Sequence, residues 1–304
     1  MKVRANGLSL EVEDSGPGGG GGPVLLVMGL GMQLTAWPQA LVDALVAAGH
    51  RVIRFDNRDI GLSTWLDHLP VPNLLWESLK LRIGLPVRAP YTLSDLAADA
   101  FGVLDALGLD SAHVVGASMG GMIAQRMALA APERARTLTS IMSSSGARGL
   151  PGPQPRVLQV MMSRPKDRSE PAVLAHFVRL FQAIGSPGYP EPPDILRQRI
   201  LESVRRGGYH PAGSARQLAA IATSGDRAPK LRGLNVPTVV VHGTADRLVG
   251  ISGGKATAKA IPGARFVPIA GMGHDLPRGT WTTIIRAITE NAARAATAEA
   301  VAPG

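Results

Sequence analysis

A serine set between small residues, Gly116-Ala117-Ser118-Met119-Gly120, is the first feature of this sequence that could do chemistry. An apolar run, His113-Val114-Val115, leads into it, and a stretch with helical spacing, residues 122–130, leads away. A strand that turns into a helix over G-x-S-x-G bends so sharply that the hydroxyl stands clear above the sheet. The helix start also brings unpaired N–H groups and the positive end of its dipole beside the serine. Such a hydroxyl is a weak nucleophile until a base takes its proton. The chemistry implied is attack on a carbonyl carbon, and it needs a histidine and an acid.

In this strand–turn–helix setting the partners follow the nucleophile in the order acid, then histidine. Of the seven histidines, His242 and His274 lie beyond residue 232. His242 precedes the candidate acid and ends an apolar run, where local packing accounts for it. His274 sits in Gly271-Met272-Gly273-His274-Asp275, a glycine-flanked loop after a strand, and is the candidate base. The acid must hold the imidazole in one tautomer from a loop after a strand. Asp246, in Val241-His242-Gly243-Thr244-Ala245-Asp246, does so. Asp226 belongs to a long interruption of the pattern, and Asp275 adjoins His274, so its side chain should diverge.

The negative oxygen formed on attack needs two backbone N–H donors. Met119 is expected to supply one. The loop Met28-Gly29-Leu30-Gly31-Met32 should supply the other, through Leu30 in preference to Gly31. Met28, Met32, Met122 and Met272 are candidate substrate-binding residues, because methionines lining a pocket make it apolar and adaptable. Packing in the core is the competing reading for each. Asp56, Arg58 and Asp59 form a dense charged turn, read as a network that fixes the Met28–Met32 loop. Gly29-x-Gly31 imitates a dinucleotide-binding turn, but Leu34 stands where the third glycine belongs. Another G-x-G-x-x-G match, in the loop of Gly16-Pro17 and the five glycines after it, precedes a strand instead of following one and is set aside.

The elements that must position these residues alternate. Met1–Asn6 and Leu8–Glu13 read as a hairpin about Asn6-Gly7. Strands are then expected at Val24–Met28, Arg51–Phe55, Ala112–Val115, Arg136–Met142, Thr238–Val241 and Arg265–Ile269. Helices are expected at Thr35–Ala48, Ser94–Leu107 with Ser94 as N-cap, Met119–Ala130, Gly254–Ala260 and Trp281–Ala296. Strands alternating with helices imply an α/β fold, a mostly parallel sheet of about eight strands covered on both faces. Residues 147–232 interrupt the pattern. They are rich in Pro and Arg, without strand-like runs, and have helical spacing in Val173–Ile184 and Ile195–Arg205. The division expected is a core of residues 1–146 and 233–304 with a helical insertion of 147–232 over the sheet edge. Residues from Ala295 to Gly304 read as a frayed tail.

Composition narrows the function classes. The 304 residues contain no cysteine, which removes disulfides, thiolate metal sites and a cysteine nucleophile. No histidine–carboxylate cluster has ligand spacing, so no metal site is expected. The formal net charge is +9. Residues 147–232 hold 14 Lys or Arg against 6 Asp or Glu, so nearly all the surplus lies there. A solvated helical face is the plain reading, and steering of acidic substrates the functional one. Nucleic acid is not an expected partner, since aromatic residues make up 4% of the chain and do not interleave with the basic ones. No apolar run approaches the roughly 20 residues that span a bilayer. The N-terminus turns polar before a signal-peptide core could form, and the expected location is cytoplasmic.

With these motifs assembled, the chain resembles the α/β-hydrolase superfamily. The likeness runs through residues 23–145 and 234–285, on Val27–Gly31, Phe55-Asp56-Asn57-Arg58-Asp59-Ile60-Gly61-Leu62-Ser63, Gly116–Gly121, His242–Asp246 and Gly271–Leu276. Within it, the chain is most similar to the small carboxylesterases that include the anthracycline methylesterases. Met28-Gly29, where His-Gly is usual, is a departure shared with that branch. The resemblance implies Ser118, Asp246 and His274 as a triad, Leu30 and Met119 as oxyanion donors, and 147–232 as a cap over the pocket. It implies a serine carboxylesterase acting on a small-molecule ester, as monomer or homodimer, with no cofactor. The alternatives it carries are another hydrolytic reaction on the same triad (carbon–carbon cleavage, peracid formation, amide hydrolysis) or a non-catalytic ligand receptor. A serine nucleophile argues against the dehalogenase and epoxide hydrolase branches, which use a carboxylate.

Overall fold

The computed structural model describes residues 1–73, 76–77, 80, 85 and 87–301. Eight strands form one sheet in the order β1-β2-β4-β3-β5-β6-β7-β8. They are β1 Lys2–Ala5, β2 Leu8–Asp14, β3 Pro23–Val27, β4 Arg51–Phe55, β5 Ala112–Ala117, β6 Ala135–Ile141, β7 Thr238–Gly243 and β8 Arg265–Ile269. The β1–β2 and β2–β4 pairs are antiparallel, and every other pair is parallel. The expected hairpin forms because Asn6 and Gly7 both take positive φ, +48° and +78°, as its two-residue turn requires.

Helices cover both faces. On one side α2 (Leu93–Ala106) and α3 (Met119–Ala130) pack Leu96, Val103, Ile123 and Met127 against Leu25, Ile53 and Val114. On the other, α1 (Gln39–Ala47) and the closing helix α10 (Trp281–Val301) pack Leu41, Leu45, Ile284 and Ile288 against Val24, Leu26 and Val115. The middle strands are buried on both faces, which is why they read as unbroken apolar runs.

Between β6 and β7 the chain leaves the sheet for α4 (Pro155–Met162), α5 (Glu170–Ile184), α6 (Pro193–Gly207), α7 (Pro211–Thr223) and the short α8 (Ala228–Leu231). The chain returns to the sheet by β7, and α9 (Ile251–Ala260) then packs beside that strand. Among the described residues no helix is long and apolar enough to cross a membrane.

Three local expectations need correction. Thr92, not Ser94, caps α2, because its hydroxyl accepts from the Ser94 and Asp95 N–H groups while Asp95 reaches back to the Thr92 N–H. The helix expected over Thr35–Ala48 is a 3-10 turn, Leu34–Ala36, followed by α1. Pro38 separates them, since it has no N–H to carry a helix through. The closing helix runs to Val301, beyond the expected start of the tail at Ala295, and 302–304 lie outside the described residues.

Candidate active site

Ser118 stands between β5 and α3 with φ +55° and ψ −121°, a strained conformation for a residue with a side chain. The surroundings enforce it. Its N–H donates to the Ile141 carbonyl at 2.9 Å, and its carbonyl accepts from Ser143 Oγ at 2.7 Å and the Gly121 N–H at 2.9 Å. A Cβ on Gly116 would lie 2.1 Å from the Gly120 oxygen, and one on Gly120 would lie 2.0 Å from the Val27 oxygen. The two glycines of the motif are therefore packing requirements of this bend.

The structure brings His274 and Asp246 to the same place. Asp246 lies in the loop after β7, and His274 in the loop after β8. Asp246 Oδ1 accepts from the Leu248 and Val249 N–H groups, both at 2.9 Å, which leaves Oδ2 for His274 Nδ1 at 2.7 Å. Burial disfavours the Asp246 charge, but the nearby His274 charge, hydrogen bonds from His242 and His274 and the Val249 N–H hold its carboxyl below the usual range. An ionised carboxylate only accepts, so His274 Nδ1 carries hydrogen. In the neutral ring Nε2 then has a free lone pair, and it lies 2.9 Å from Ser118 Oγ. Serine, imidazole and carboxylate thus form one hydrogen-bonded chain that can move a proton off the serine.

His242, expected to pack locally at a strand end, is fully buried in β7. Its Nε2 donates to the Val249 carbonyl at 2.7 Å and lies 3.5 Å from Asp246 Oδ2. Asp275 does diverge. Its carboxylate accepts from the Ser186 hydroxyl and, at 3.3 Å, from the Ser186 N–H, while burial pushes its pKa up.

The Met28–Met32 loop lies against the nucleophile, where a Cβ on Gly29 would be 3.0 Å from Ser118 Cβ. The charged turn after β4 holds it, as expected. Asn57 Nδ2 donates to the Met28 carbonyl at 3.0 Å, and Asp56 Oδ1 accepts the Leu34 N–H at 2.6 Å. The Leu30 N–H has no hydrogen-bond partner among the described residues, and the Met119 N–H, first of α3, has no intrahelical carbonyl to meet.

Partners of this turn come from 147–232 and carried no signal in the sequence. Arg206 donates to Asp56 Oδ2 at 2.7 Å, and Arg216 meets both oxygens of Asp59 at 2.8 Å. Gln217 bridges the Arg58 carbonyl and the Gly31 N–H. Part of the basic surplus read as a solvated face is thus internal. Arg216 and Asp59 are both fully buried. Arg216→Met is therefore expected to destabilise the protein by about 3–5 kcal/mol, because it strands a buried carboxylate. Burial opposes the Asp59 charge, yet Arg216, the Leu66 N–H and Tyr91 lower its pKa. A lowered carboxylate contributes stability above its unfolded pKa and loses it as pH falls through the folded value. Without Arg216 burial raises the Asp59 pKa, so the melting difference between wild type and variant should be full where Asp59 is ionised in both and shrink as falling pH protonates it in the variant first.

Ser118 and His274 open on a cavity of about 2250 Å³, walled by the sheet's loops and by α4 to α7. Met28, Met32 and Met122 line it, with Met119, Met142, Leu180, Phe181 and Leu218. Met272 does not. It is fully buried against Trp37 and Ile284 in the core, and its carbonyl ties down the Asp246 loop by accepting the Ala245 N–H at 2.9 Å.

The family model for the alpha/beta hydrolase fold matches residues 22–277. Rhodomycin D methylesterase DnrP of Streptomyces peucetius is 31% identical over 294 residues, covering 90% of this chain and 92% of that protein. A 2-hydroxy-6-oxononadienedioate/2-hydroxy-6-oxononatrienedioate hydrolase of Pseudomonas sp. is 27% identical over 88% of this chain and 85% of its own length. Among solved structures, the meta-cleavage product hydrolase CumD of Pseudomonas fluorescens superposes with a TM-score of 0.72 at 19% identity, over 97% of this chain and 98% of that one. The sheet order, the strand–serine–helix bend and these likenesses agree, and the chain belongs to the α/β-hydrolase fold family.

Proposed function

We propose that this protein is a serine carboxylesterase acting on small to medium apolar esters, with Ser118, His274 and Asp246 as its triad and residues 147–232 as a cap over the pocket. The observation that carries the reading is the unbroken chain from Asp246 through His274 to Ser118 at the floor of an apolar cavity. The methylesterase likeness favours esters over other acyl compounds.

Ser118 Oγ attacks the ester carbonyl as its proton passes to His274 Nε2, and Asp246 steadies the imidazolium. The Leu30 and Met119 N–H groups receive the negative oxygen. As the tetrahedral species collapses, the carbon–oxygen bond to the alcohol breaks and His274 protonates the leaving oxygen. Water then enters and attacks the acyl carbon as its proton passes to His274; the bond to Ser118 Oγ breaks as His274 returns that proton to the serine, releasing the acid. Water is the only co-substrate this sequence needs.

The cavity exceeds the roughly 300–1,000 Å³ of ordinary ligand pockets, so long acyl chains or bulky alcohols fit within it. A series of p-nitrophenyl esters from acetate to laurate is expected to be hydrolysed, with kcat/KM rising beyond acetate. No turnover of any member by folded protein would overturn the esterase reading. The likeness to the 2-hydroxy-6-oxononadienedioate hydrolases supports a second reading, carbon–carbon cleavage on the same triad. A vinylogous diketone turned over faster than every ester would favour it.

A further inference from the structure

The Met28–Met32 loop lies against Ser118, and the engagements of the backbone N–H groups in and after it decide which is free to meet a developing oxyanion. The Met32 N–H is used within the loop, donating to the Gly29 carbonyl at 3.2 Å, and the Leu34 N–H donates to Asp56. The Gly31 N–H would compete with that of Leu30, but it donates to Gln217 Oε1 at 2.9 Å.

Gln217 lies on α7, far along the chain, and is fully buried. Its Nε2 donates to the Arg58 carbonyl at 2.9 Å. A planar amide carries an acceptor and a donor side by side without charge, so it can join a backbone N–H to a backbone C=O in a dry interior. An apolar side chain would leave both backbone groups orphaned, and a carboxylate would meet the Arg58 carbonyl with like charge. The loop depends on this contact because Gly31 holds φ +67° and α7 presses against it, with Ser214 Oγ 3.0 Å from where a Gly31 Cβ would be.

We infer that Gln217 is a positioning residue for the oxyanion hole. By taking the Gly31 N–H it holds the loop in the turn that leaves the Leu30 N–H unpaired beside Ser118. It acts through the loop and touches neither substrate nor nucleophile. The inference rests on the esterase reading for its kinetic form, but its test can be read separately.

Wild type, Gln217→Leu and Gln217→Glu would be compared by steady-state ester hydrolysis and by inhibition with an alkyl boronic acid, which forms a tetrahedral adduct on a catalytic serine. Gln217→Leu is expected to lower kcat by about ten- to a hundredfold, less than the loss on removing an oxyanion donor outright. KM should stay within about twofold, and boronate affinity should weaken in parallel with kcat/KM. Gln217→Glu keeps the acceptor for Gly31 but sets a carboxylate against the Arg58 carbonyl, so it is expected to be impaired as well. A folded Gln217→Leu with unchanged kcat and boronate affinity would overturn the inference. So would a loss confined to KM. Gln217→Met replaces the leucine variant if that does not fold. If wild type hydrolyses no ester, the esterase reading fails, and weaker boronate binding in the variant still decides this one.

Discussion

Alanine at position 118 is expected to lower kcat on p-nitrophenyl esters by on the order of 10⁶, the scale found when a triad serine or histidine is removed from other serine hydrolases. The argument is local. Among the described residues Ser118 Oγ has one protein partner, His274 Nε2, so its loss strands no buried group besides that imidazole. The bend itself is held by backbone contacts and by Gly116 and Gly120, all of which survive. The variant should therefore keep its fold, with a melting temperature within a few degrees of wild type. It should still bind substrate, since the cavity wall is unchanged. Residual turnover above the uncatalysed rate would come from the proposed oxyanion donors and from binding alone. Full activity in the folded variant would remove Ser118 from the mechanism.

Asp246→Asn should be nearly as severe, with a loss of about 10⁴ in kcat if it follows the tautomer argument. Here the geometry dictates which way the new amide turns. The site of Oδ1 accepts two backbone N–H groups, from Leu248 and Val249, so the asparagine oxygen must occupy it. The NH₂ group then faces His274 Nδ1, and it also meets the N–H of His242, 3.5 Å away in the wild type. A donor at that place forces the His274 proton onto Nε2, where it can no longer receive the proton of Ser118. The variant should show slow turnover, and a fluorophosphonate should label Ser118 slowly in proportion. Wild-type labelling with slow turnover would place the role of Asp246 after acylation.

The sheet and the reactive residues were readable because each leaves a short-range mark. Val24–Val27 and Val239–Val241 are buried on both faces and so read as apolar runs. Ser118, Asp246 and His274 each follow a strand within a few residues, among glycines whose small size the packing demands. Ser94 is a suitable residue type for a cap, but three places on stands Ala97, whereas Thr92 has Asp95 there to turn back on its N–H, so the spacing that decides between them is already in the sequence. Met272 reads as a pocket residue from its neighbourhood in sequence, whereas its side chain is fully buried in the core cluster that holds Trp37 and Ile284. Gln217, Arg206 and Arg216 were hidden for another reason. They meet partners about 150 residues or more away, and no local pattern distinguishes them from surface residues of an amphipathic helix.

The inserted helices grip the reactive loops at two points. One is the glycine-rich loop, through Gln217 and through Arg206, which also donates to Gln33 at 2.7 Å. The other is the histidine loop, where the Ile184 carbonyl accepts the His274 N–H at 2.8 Å and Ser186 Oγ accepts the Gly273 N–H at 2.8 Å. The helices of 147–232 and these two loops are therefore packed as one unit. A chimaera that transplanted 147–232 onto a related sheet would need Asp56, Asp59 and the glycines around His274 to travel with it.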